Sequence, residues 1–341
     1  MNKKNQILHV AILDPIFIRN FIQFIRNNFL VENHKFLLFT NKLNLEYKTN
    51  NNINVIPLSN YRYFLKEAKK SSKIIFHGLW IDLINDLVNK YDSLLDKIYW
   101  IAWGGDFNPV DLQPTVRKTL IKKIKNIITD NYYDYLYIKE KYSNTVAKHL
   151  KCFSYPSNVF YPLEFEENSK RNSSINILIG NSADPFHRHN EILKNLKIFK
   201  NENVKIFVPL SYCKSDNKYI EEVISIGREI FKEKFIPIKD FMSLEDYRKF
   251  LSTIEIAIFG AKRQQAMGNI ITLLGFGKKV YIDKETTTYK MLSDLGVRVF
   301  DLDKISIKPF DDSISKNNST VIKNYFSEEN LVKQWTSIFE D

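Results

Sequence analysis

The sequence is poor in cysteine. Its 341 residues include two cysteines, Cys152 and Cys213, which lie far apart and lack the spacing of metal ligands. This excludes a small disulfide-built domain and is typical of a protein from a reducing cytosol. An acidic cluster is missing as well, because the pair Asp301 and Asp303 lies past the last predicted strand and is interpreted as a loop. We expect no metal and no cofactor.

Long apolar runs are also missing. No stretch approaches the ~18 uninterrupted apolar residues that a membrane-spanning helix needs. The apolar segment 7–13 contains His9 and is closed by Asp14 and Pro15, so no secretory signal peptide is expected at this end. The sequence therefore predicts a soluble protein or one that binds a membrane peripherally.

Basic residues are in excess, and the formal net charge is +11. Such a charge favours an anionic partner, which can be a nucleic acid, a membrane surface or a phosphorylated substrate. A lysine-rich composition also follows from codon usage, so the placement of the charges is more informative than their number. The length suits two domains of roughly 150 residues each. The polar, non-periodic segment 164–174 marks their boundary, giving domains at 1–165 and 173–312 and a helical tail at 313–341.

Short apolar segments alternate with helical ones in both halves of the chain. This alternation predicts doubly wound parallel sheets. Predicted strands cover residues 7–13, 35–40, 54–58, 73–76, 98–103, 175–179, 204–208, 254–259 and 279–282. A C-terminal amphipathic helix is predicted from the apolar residues between Tyr325 and Phe339.

The stretch 254–282 predicts a strand, a polar loop, a helix and a further strand. Gly260 ends the first strand, and the helix starts at Gly268 and Asn269. The loop between them carries Lys262, Arg263, Gln264 and Gln265. A helix N-terminus has unpaired N–H groups and partial positive charge, so this arrangement suits a diphosphate. The alternative is that the two cations are ordinary solvated charges.

A second set of candidates follows the predicted strand at 175–179. Gly180, Asn181 and Ser182 form a turn, and Asp184, His187, Arg188 and His189 then open the next helix. Two histidines two residues apart and an aspartate can suggest a metal site, but no further ligand has suitable spacing, so substrate or nucleotide contacts are the better interpretation. After the strand at 204–208, Pro209 and Tyr212 occupy the equivalent position.

The first half of the chain has two further strand ends with candidate residues. His77 and Gly78 follow one strand, although a lone histidine there is more often structural. Trp103, Gly104, Gly105 and Asp106 follow another. Two glycines let an acidic side chain stand at a strand tip without crowding, so Asp106 is a candidate general base toward an acceptor hydroxyl. The alternative is a glycine turn with a helix-capping aspartate.

A basic helix is predicted at 116–128. Its apolar residues share one face, and the cations lie largely off that face: Arg117, Lys118, Lys122, Lys123 and Lys125. Such a helix can rest on anionic lipid headgroups, each cation contributing on the order of 1 kcal/mol. A core helix with a solvated basic face is an equally good interpretation.

Six short motifs, taken in order, resemble glycosyltransferase family 56, whose members are TDP-N-acetylfucosamine:lipid II N-acetylfucosaminyltransferases, also labelled 4-alpha-L-fucosyltransferases. The motifs are His77-Gly78, Trp103-Gly104-Gly105-Asp106, Gly180-Asn181-Ser182 with Asp184, Val208-Pro209 with Tyr212, the segment 219–223, and Arg263-Gln264-Gln265 with Gly268. The chain departs from the family pattern at His187, where an asparagine is usual, and at Asn269, where a threonine is usual.

The resemblance implies an α/β protein of the glycosyltransferase B type, with two Rossmann-like doubly wound domains and a C-terminal helix that returns to the first. The first domain would bind the acceptor and the second the nucleotide sugar. It also implies transfer of 4-acetamido-4,6-dideoxygalactose from a TDP-sugar to an undecaprenyl-diphosphate-linked disaccharide. The reaction would occur at the cytoplasmic face of the inner membrane, where the protein would bind an anionic surface peripherally.

Roles follow for the candidate residues. Asp106 is the first candidate for the catalytic base, and His77 and Asp14 are weaker ones; a retaining reaction would need no base. The acceptor-binding candidates are Gly78, Trp103, Gly104 and Gly105. The donor-binding candidates are Gly180, Asn181, Ser182, Asp184, His189, Pro209, Tyr212, Lys262, Arg263, Gln264, Gln265, Gly268 and Asn269.

Two alternatives stay open. One is an enzyme of the same fold with another nucleotide sugar and another glycan acceptor. The other is a non-catalytic basic protein that binds a membrane or a nucleic acid. Nucleic acid is the less expected partner, because the sequence lacks the clustered aromatic and basic motifs of RNA-binding modules and no helix-turn-helix stands out.

Overall fold

The computed structural model describes residues 6–14, 17–41, 52–163, 174–211, 217–308 and 310–341. The chain divides into two compact units, one formed by Met1–Asn158 with Glu328–Asp341 and the other by Val159–Ser327. The predicted boundary segment 164–174 lies outside the described residues except for Ser174. Within the described ranges, no helix has the length and apolar character needed to cross a bilayer.

The first unit contains a parallel sheet of seven strands in the order β3-β2-β1-β4-β5-β6-β7. The strands are β1 (Ile7–Ile12), β2 (His34–Thr40), β3 (Ile53–Pro57), β4 (Lys73–His77), β5 (Ile98–Ile101), β6 (Asn126–Ile128) and β7 (Lys148–Leu150). The helices are α1 (Phe17–Asn28), α2 (Tyr63–Ala68), α3 (Asp82–Lys90), α4 (Gly104–Phe107), α5 (Thr115–Lys123) and α6 (Tyr132–Lys141), joined by the last helix of the chain, α13 (Glu328–Glu340). The strand order reverses between β1 and β4, which creates a crevice at the carboxyl ends of these two strands.

The second unit contains a parallel sheet of five strands in the order β10-β9-β8-β11-β12. The strands are β8 (Ile175–Ile179), β9 (Val204–Pro209), β10 (Phe235–Ile238), β11 (Ile256–Phe259) and β12 (Lys279–Ile282). The helices are α7 (His189–Asn195), α8 (Asn217–Phe231), α9 (Leu244–Ser252), α10 (Met267–Gly275), α11 (Thr287–Asp294) and α12 (Asp312–Tyr325). Here the strand order reverses between β8 and β11.

The predicted strands agree with the structure within two residues at each end. The reason is that strands in parallel sheets are covered on both faces, so they read as short, nearly continuous apolar runs. In β1, alternate side chains enter opposite layers. Leu8 and Val10 join a core that also contains Trp100 and Ile121. His9 lies on the other face, 5.5 Å from Phe21 of α1 between ring centroids.

The last helix, α13, packs against the first unit, as the fold prediction requires. Trp335 is fully buried, and its indole N–H donates to the Ser154 carbonyl at 2.9 Å. The ammonium of Lys73 donates to the carbonyl of Ile338, in the last turn of the helix, where a cation offsets the negative end of the helix dipole. The C-terminal segment forms two helices instead of one, because α12 ends at Tyr325 and belongs to the second unit.

The basic helix predicted at 116–128 is wrong in its second half. Helix α5 ends at Lys123, Ile124 is extended, and β6 pairs with β5 from Asn126. Buried isoleucines at 127 and 128 fit a helical face and a short buried strand equally well, and pairing with β5 decided between them. The basic face is also smaller than expected, since Arg117 is buried.

Candidate functional site

In the second unit, the two predicted loops meet at the crevice between β8 and β11. β8 leads into the turn that starts at Gly180, and β11 leads through Gly260 into the polar loop. The amide nitrogen of Gln265 donates to Asp184 Oδ2 at 2.9 Å, and Arg263 Nη2 lies 3.4 Å from the same oxygen. The structure therefore brings together donor-site candidates that are 79 residues apart in sequence.

Arg263 is held on two sides. The Asp184 carboxylate lies at one end of the guanidinium, and the ring of Phe186 lies under it, with its centroid 4.1 Å from Cζ. Asp184 is itself fixed, because its Oδ1 accepts the backbone N–H of Phe186 at 3.0 Å. The arginine side chain keeps 19% of its surface exposed. A guanidinium stacked on a ring and paired with a carboxylate is held in a fixed orientation, and its planar fork matches the geometry of phosphate oxygens.

Helix α10 begins directly beside this arginine. Its N-cap position is Ala266, whose methyl group cannot accept a hydrogen bond and whose backbone is left-handed with φ of +61°. Ala266 therefore caps none of the first N–H groups of the helix, and such groups favour an anionic acceptor. A left-handed alanine costs about 1–2 kcal/mol, and such strain often marks functional loops. Gly268 is the second residue of the helix, and Asn269 accepts the Tyr247 hydroxyl at 2.7 Å.

Two histidines fill the space behind the turn after β8. A Cβ on Gly180, which has φ of +65°, would lie 2.7 Å from His189 Nε2 and 3.0 Å from His187 Cγ. A Cβ on Gly260 would lie 2.4 Å from the carbonyl oxygen of His187. Burial lowers the pKa of His187 to about 4 and that of His189 to about 3, so both are neutral at pH 7. The glycines at both strand ends are thus required by the close approach of these residues.

Several buried polar atoms at this crevice have no hydrogen-bond partner among the described residues. They are Asn181 Oδ1, both ring nitrogens of His187, His189 Nε2 and Gln265 Oε1. Buried polar atoms in folded proteins are nearly always paired, so a concentration of unpaired ones indicates a site built for a polar ligand. Nδ1 of His189 is satisfied by the hydroxyl of Tyr219 at 2.8 Å.

The remaining donor-site candidates lie near these unpaired atoms or outside the described residues. Ser182 is buried in the turn, Gln264 is half-buried, and Lys262 is exposed on the loop. Pro209 ends the neighbouring strand β9. Tyr212 lies outside the described residues. Across the described ranges, no three or more His, Cys, Asp or Glu side chains are grouped so that they could hold a metal ion.

In the first unit, His77 ends β4 at the crevice between β1 and β4, and Gly78 follows it. A small depression there is lined by residues of β1, β4 and the start of α3. His77 is buried and both ring nitrogens are engaged, Nε2 at 3.1 Å from His9 Nδ1 and Nδ1 at 2.8 Å from the Tyr155 hydroxyl. Gly78 has φ of +83°, and a Cβ on it would lie 2.3 Å from Trp80 Nε1. His77 therefore has no nitrogen left to accept a proton from an acceptor hydroxyl.

Asp106 is buried in the interior of the first unit. Its side chain is 0% exposed, and its Oδ2 accepts the Trp100 indole N–H at 2.9 Å and the Trp103 backbone N–H at 3.2 Å. Burial raises its pKa to about 6. This is the helix-capping alternative, because Gly104 and Gly105 open α4 and the carboxylate closes its first turn. The expectation that Asp106 stands at the tip of the strand, within reach of an acceptor, is corrected by its burial.

Asp14 lies at the end of β1, on the crevice itself. Its carboxylate is half-buried, and Oδ1 accepts the backbone N–H of Phe17 at 2.6 Å, which caps α1. The half-buried ring of Trp103 lies nearby, edge-on to the ring of Phe17 with centroids 5.1 Å apart. Asp14 is thus partly exposed, whereas Asp106 is not.

Sequence reasoning missed several residues that complete these sites. The ring of Phe186 stacks under Arg263, and the ring of Trp80 packs against Gly78. The Tyr155 hydroxyl forms hydrogen bonds with both His77 and Trp103. Phe186 and Trp80 were detectable, since each lies two residues from a predicted candidate. Tyr155 follows no strand end, and no local signal pointed to it.

Comparison with known proteins agrees with this architecture. The sequence model of the family described as 4-alpha-L-fucosyltransferase, glycosyl transferase group 56, matches residues 12–340. Anabaena HepE, solved with UDP and glucose, has a TM-score of 0.68 at 10% identity, over 98% of this chain and 99% of that one. A glycosyltransferase from Rickettsia africae has a TM-score of 0.65 at 13% identity, over 100% and 98%. A trehalose-phosphate synthase from Burkholderia xenovorans has a TM-score of 0.64 at 7% identity, over 99% of each chain.

At these identities the solved structures show the fold, which is the glycosyltransferase B fold with two Rossmann-like units. The family match covers nearly the whole chain and shows the activity class, which is that of a glycosyltransferase. The chain belongs to glycosyltransferase family 56, the 4-alpha-L-fucosyltransferase family.

Proposed function

We propose that the chain transfers a deoxy-amino sugar of the 4-acetamido-4,6-dideoxygalactose type from a TDP-sugar to an undecaprenyl-diphosphate-linked oligosaccharide in surface polysaccharide synthesis. The observation that carries the donor half of this proposal is the contact of Asp184 with Arg263 and Gln265 beside the start of α10. The guanidinium of Arg263 and the N-terminus of α10, which has no side-chain cap, lie beside the same crevice. A nucleoside diphosphate has the charge and the acceptor oxygens that this set of groups fits.

The same groups would act on the reaction. Negative charge grows on the leaving diphosphate as the glycosidic bond breaks, so fixed donors stabilise the transition state more than the ground state. Arg263 is held by Asp184 and Phe186 before any ligand binds, which lowers the cost of ordering it. Removal of one such donor typically costs 10²–10³ in turnover.

On the acceptor side, we assign the general base to Asp14 and a structural role to Asp106. Asp14 lies half-buried at the β1 end of the crevice, whereas Asp106 has no exposed surface. The half-buried indole of Trp103 would lie against the acceptor sugar, because an aromatic ring offers a broad apolar face. Gly78, Gly104 and Gly105 would shape the backbone around it.

The competing proposal is a UDP-sugar donor. It is motivated by Anabaena HepE, whose structure contains UDP. TDP and UDP differ at the base and the ribose and share the diphosphate. The Arg263 cluster would therefore serve either nucleotide, and the choice depends on base contacts.

A lipid-linked acceptor implies work at a membrane surface, and we infer peripheral binding at the cytoplasmic face of the inner membrane. The formal net charge of +11 and the exposed Lys122 of α5 support it. Two neighbouring cations are partly neutralised, since Lys123 lies 3.1 Å from Asp92 and Lys125 pairs with Asp96. Co-sedimentation with anionic and neutral vesicles tests this inference. Equal binding to both kinds of vesicle, or none, removes it.

The proposed donor site is tested by thermal-shift titration with TDP, UDP, GDP and CMP. A ligand at 100 times its dissociation constant stabilises a protein by about 2.7 kcal/mol, which is a measurable shift. We expect a selective shift with TDP that is lost in Arg263→Ala. The matched control is Arg298→Ala, which also removes a guanidinium stacked on a ring, 5.6 Å from the Phe300 centroid, elsewhere in the same unit.

Each outcome has a distinct meaning. A selective UDP or GDP shift that depends on Arg263 would keep the site and discard the TDP donor. A shift that Arg263→Ala and Arg298→Ala reduce equally would discard the site. No shift with any nucleotide would also contradict the proposed donor site.

A further inference from the structure

Three histidines of the first unit form a hydrogen-bonded line. His34 Nδ1 lies 3.0 Å from His9 Nε2, and His9 Nδ1 lies 3.1 Å from His77 Nε2. The line continues through the Tyr155 hydroxyl, 2.8 Å from His77 Nδ1, to the Trp103 indole nitrogen at 3.3 Å. We call these five side chains the histidine line.

The sheet register explains how the line is built. Ile7 pairs with His34, and His9 lies two residues after Ile7, so the side chains of His9 and His34 project from the same face. Val10 pairs with Phe76 on the opposite face, so His9 and His77, each one residue from that pair, also share a face. They step diagonally from the start of β2 to the end of β4. Helices α1 and α13 cover them, with Phe21 4.7 Å from His77 and Phe339 4.7 Å from His34 between ring centroids. The line thus crosses the interior and ends at the crevice.

Chemistry gives the line one direction. An indole N–H can only donate, so the Tyr155 oxygen accepts from Trp103, and within the line the acceptor for the Tyr155 proton is His77 Nδ1. His77 then carries its proton on Nε2 and donates to His9 Nδ1. His9 in turn donates from Nε2 to His34. Every histidine of the line is then the neutral tautomer protonated at Nε2. Reversal of a single link would leave a donor facing a donor, and reversal of the whole line would leave the buried Tyr155 proton without an acceptor in the line.

Burial supports the neutral state of all three rings. It lowers the pKa of His77 to about 3 and that of His34 to about 4, and it also lowers the pKa of His9 well below the usual range. At pH 7 the line therefore carries no charge. A neutral, fully paired line in a rigid core holds its end groups in one orientation.

We propose that the histidine line is a positioning device for the acceptor, in which Tyr155 fixes the Trp103 ring at the β1–β4 crevice. Tyr155 is buried, and Trp103 is the member of the line that keeps partial exposure at the crevice. The ligand class is the sugar of the acceptor, packed on the indole face. This rests on the proposed function for the acceptor, whereas the direction of the line does not.

The first test is independent of activity. Long-range ¹H–¹⁵N spectra of the labelled full chain at pH 7 report the tautomer of each histidine, with assignment by single replacements. We expect His9, His34 and His77 all to carry the proton on Nε2. A proton on Nδ1 in any of them, or a charged ring, overturns the directional line.

The second test separates positioning from folding. Tyr155→Phe removes the oxygen that holds the indole, and Tyr142→Phe is the matched control, because it removes a buried hydroxyl that donates to the Phe107 carbonyl at 2.6 Å in the same unit. With a short-chain polyprenyl-diphosphate-linked disaccharide as acceptor, we expect Tyr155→Phe to raise the acceptor KM about tenfold. The donor KM and kcat should stay within about threefold, and Tyr142→Phe should leave both KM values unchanged.

A double-mutant cycle shows whether Tyr155 acts through Trp103. In a Trp103→Phe background, Tyr155→Phe should have no further effect on the acceptor KM. Additive effects, or equal changes in both KM values, overturn the positioning role. Absence of transfer to any lipid-diphosphate acceptor would contradict the proposed function instead, and the tautomer spectra would still decide the direction of the line.

Discussion

Asp184 and Arg263 form an ion pair that joins the turn after β8 to the loop after β11, with Oδ2 and Nη2 3.4 Å apart. Both side chains are largely buried, at 15% and 19% exposure. The pair lies where the strand order of the second unit reverses, so the cation is in position before a ligand arrives. A preformed site of this kind depends on the shape of the arginine as well as on its charge.

Arg263→Lys tests that dependence. Lysine keeps the positive charge and loses the planar fork and the stacking on Phe186. We expect turnover to fall by about tenfold or more, and Arg263→Ala to fall by about 10²–10³. Steady-state kinetics at saturating donor measures this. Full activity of the lysine variant would contradict a role for the arginine fork, and Arg298→Lys should be unaffected.

Gly180→Ala should destabilise the second unit more than Gly296→Ala. Both glycines are left-handed, with φ of +65° and +78°, so an alanine at either position costs about 1–2 kcal/mol of backbone strain. At Gly180 the added Cβ also meets His189 at 2.7 Å, whereas at Gly296 nothing lies within 4 Å. The clash adds about 1–3 kcal/mol. Equal losses in denaturant unfolding would show that the histidines yield to the methyl group.

Asp14→Asn and Asp106→Asn should fail in different ways. Asparagine still caps a helix, so Asp14→Asn should keep its thermal stability and its nucleotide binding and lose about 10² in turnover. Asp106→Asn replaces one of the two buried carboxylate oxygens with an NH2 group, which can only donate, so it should lower the melting temperature. Calorimetry and kinetics on the two variants check this. A stable, inactive Asp106→Asn protein with an active Asp14→Asn protein would reverse the assignment.

Stability should fall as the pH drops from 7.5 to 5.5. Five of the six histidines are buried: His9, His34, His77, His187 and His189. Burial lowers their pKa values in the native state below the value of about 6.5 in the unfolded chain. Below pH 6.5 the unfolded chain therefore binds more protons than the native state, and the free energy of unfolding decreases. Each group contributes up to about 1.4 kcal/mol per pH unit.

Asp106 acts in the opposite direction. Its pKa is raised to about 6 in the native state, so the native state binds a proton there that the unfolded chain does not, and this stabilises the native state as the pH falls. Asp106 is a single group, however, and the five buried histidines have the opposite effect. The melting temperature as a function of pH measures the balance. His34→Gln should flatten the profile and His149→Gln, at a half-exposed site, should change it less. A melting temperature that is constant or higher at pH 5.5 would contradict the neutral buried histidines.

The sequence by itself determined nine of the twelve strands and the loops that follow them, whereas the short strands β6, β7 and β10 were not predicted. Short apolar runs in a parallel sheet are visible as strands, and glycines mark where they end, as at Gly180 and Gly260. The polar loop around Arg263 and the turn containing Asp184 were both identified from these local signals. Strand ends in an α/β sheet are where ligands bind, so both loops were candidates, and the structure places them together at the crevice of the second unit.

Tertiary structure alone decided which strand ends are neighbours and which side chains face them. Strand order makes β8 adjacent to β11, and sheet register aligns His34, His9 and His77, although none of this has a local pattern. Burial of Asp106, which leaves it no exposed surface, likewise depends on elements distant in sequence. The physical reason is that helical and strand periodicity report which way a side chain points within its own element, whereas access to a site depends on elements distant in sequence that cover it.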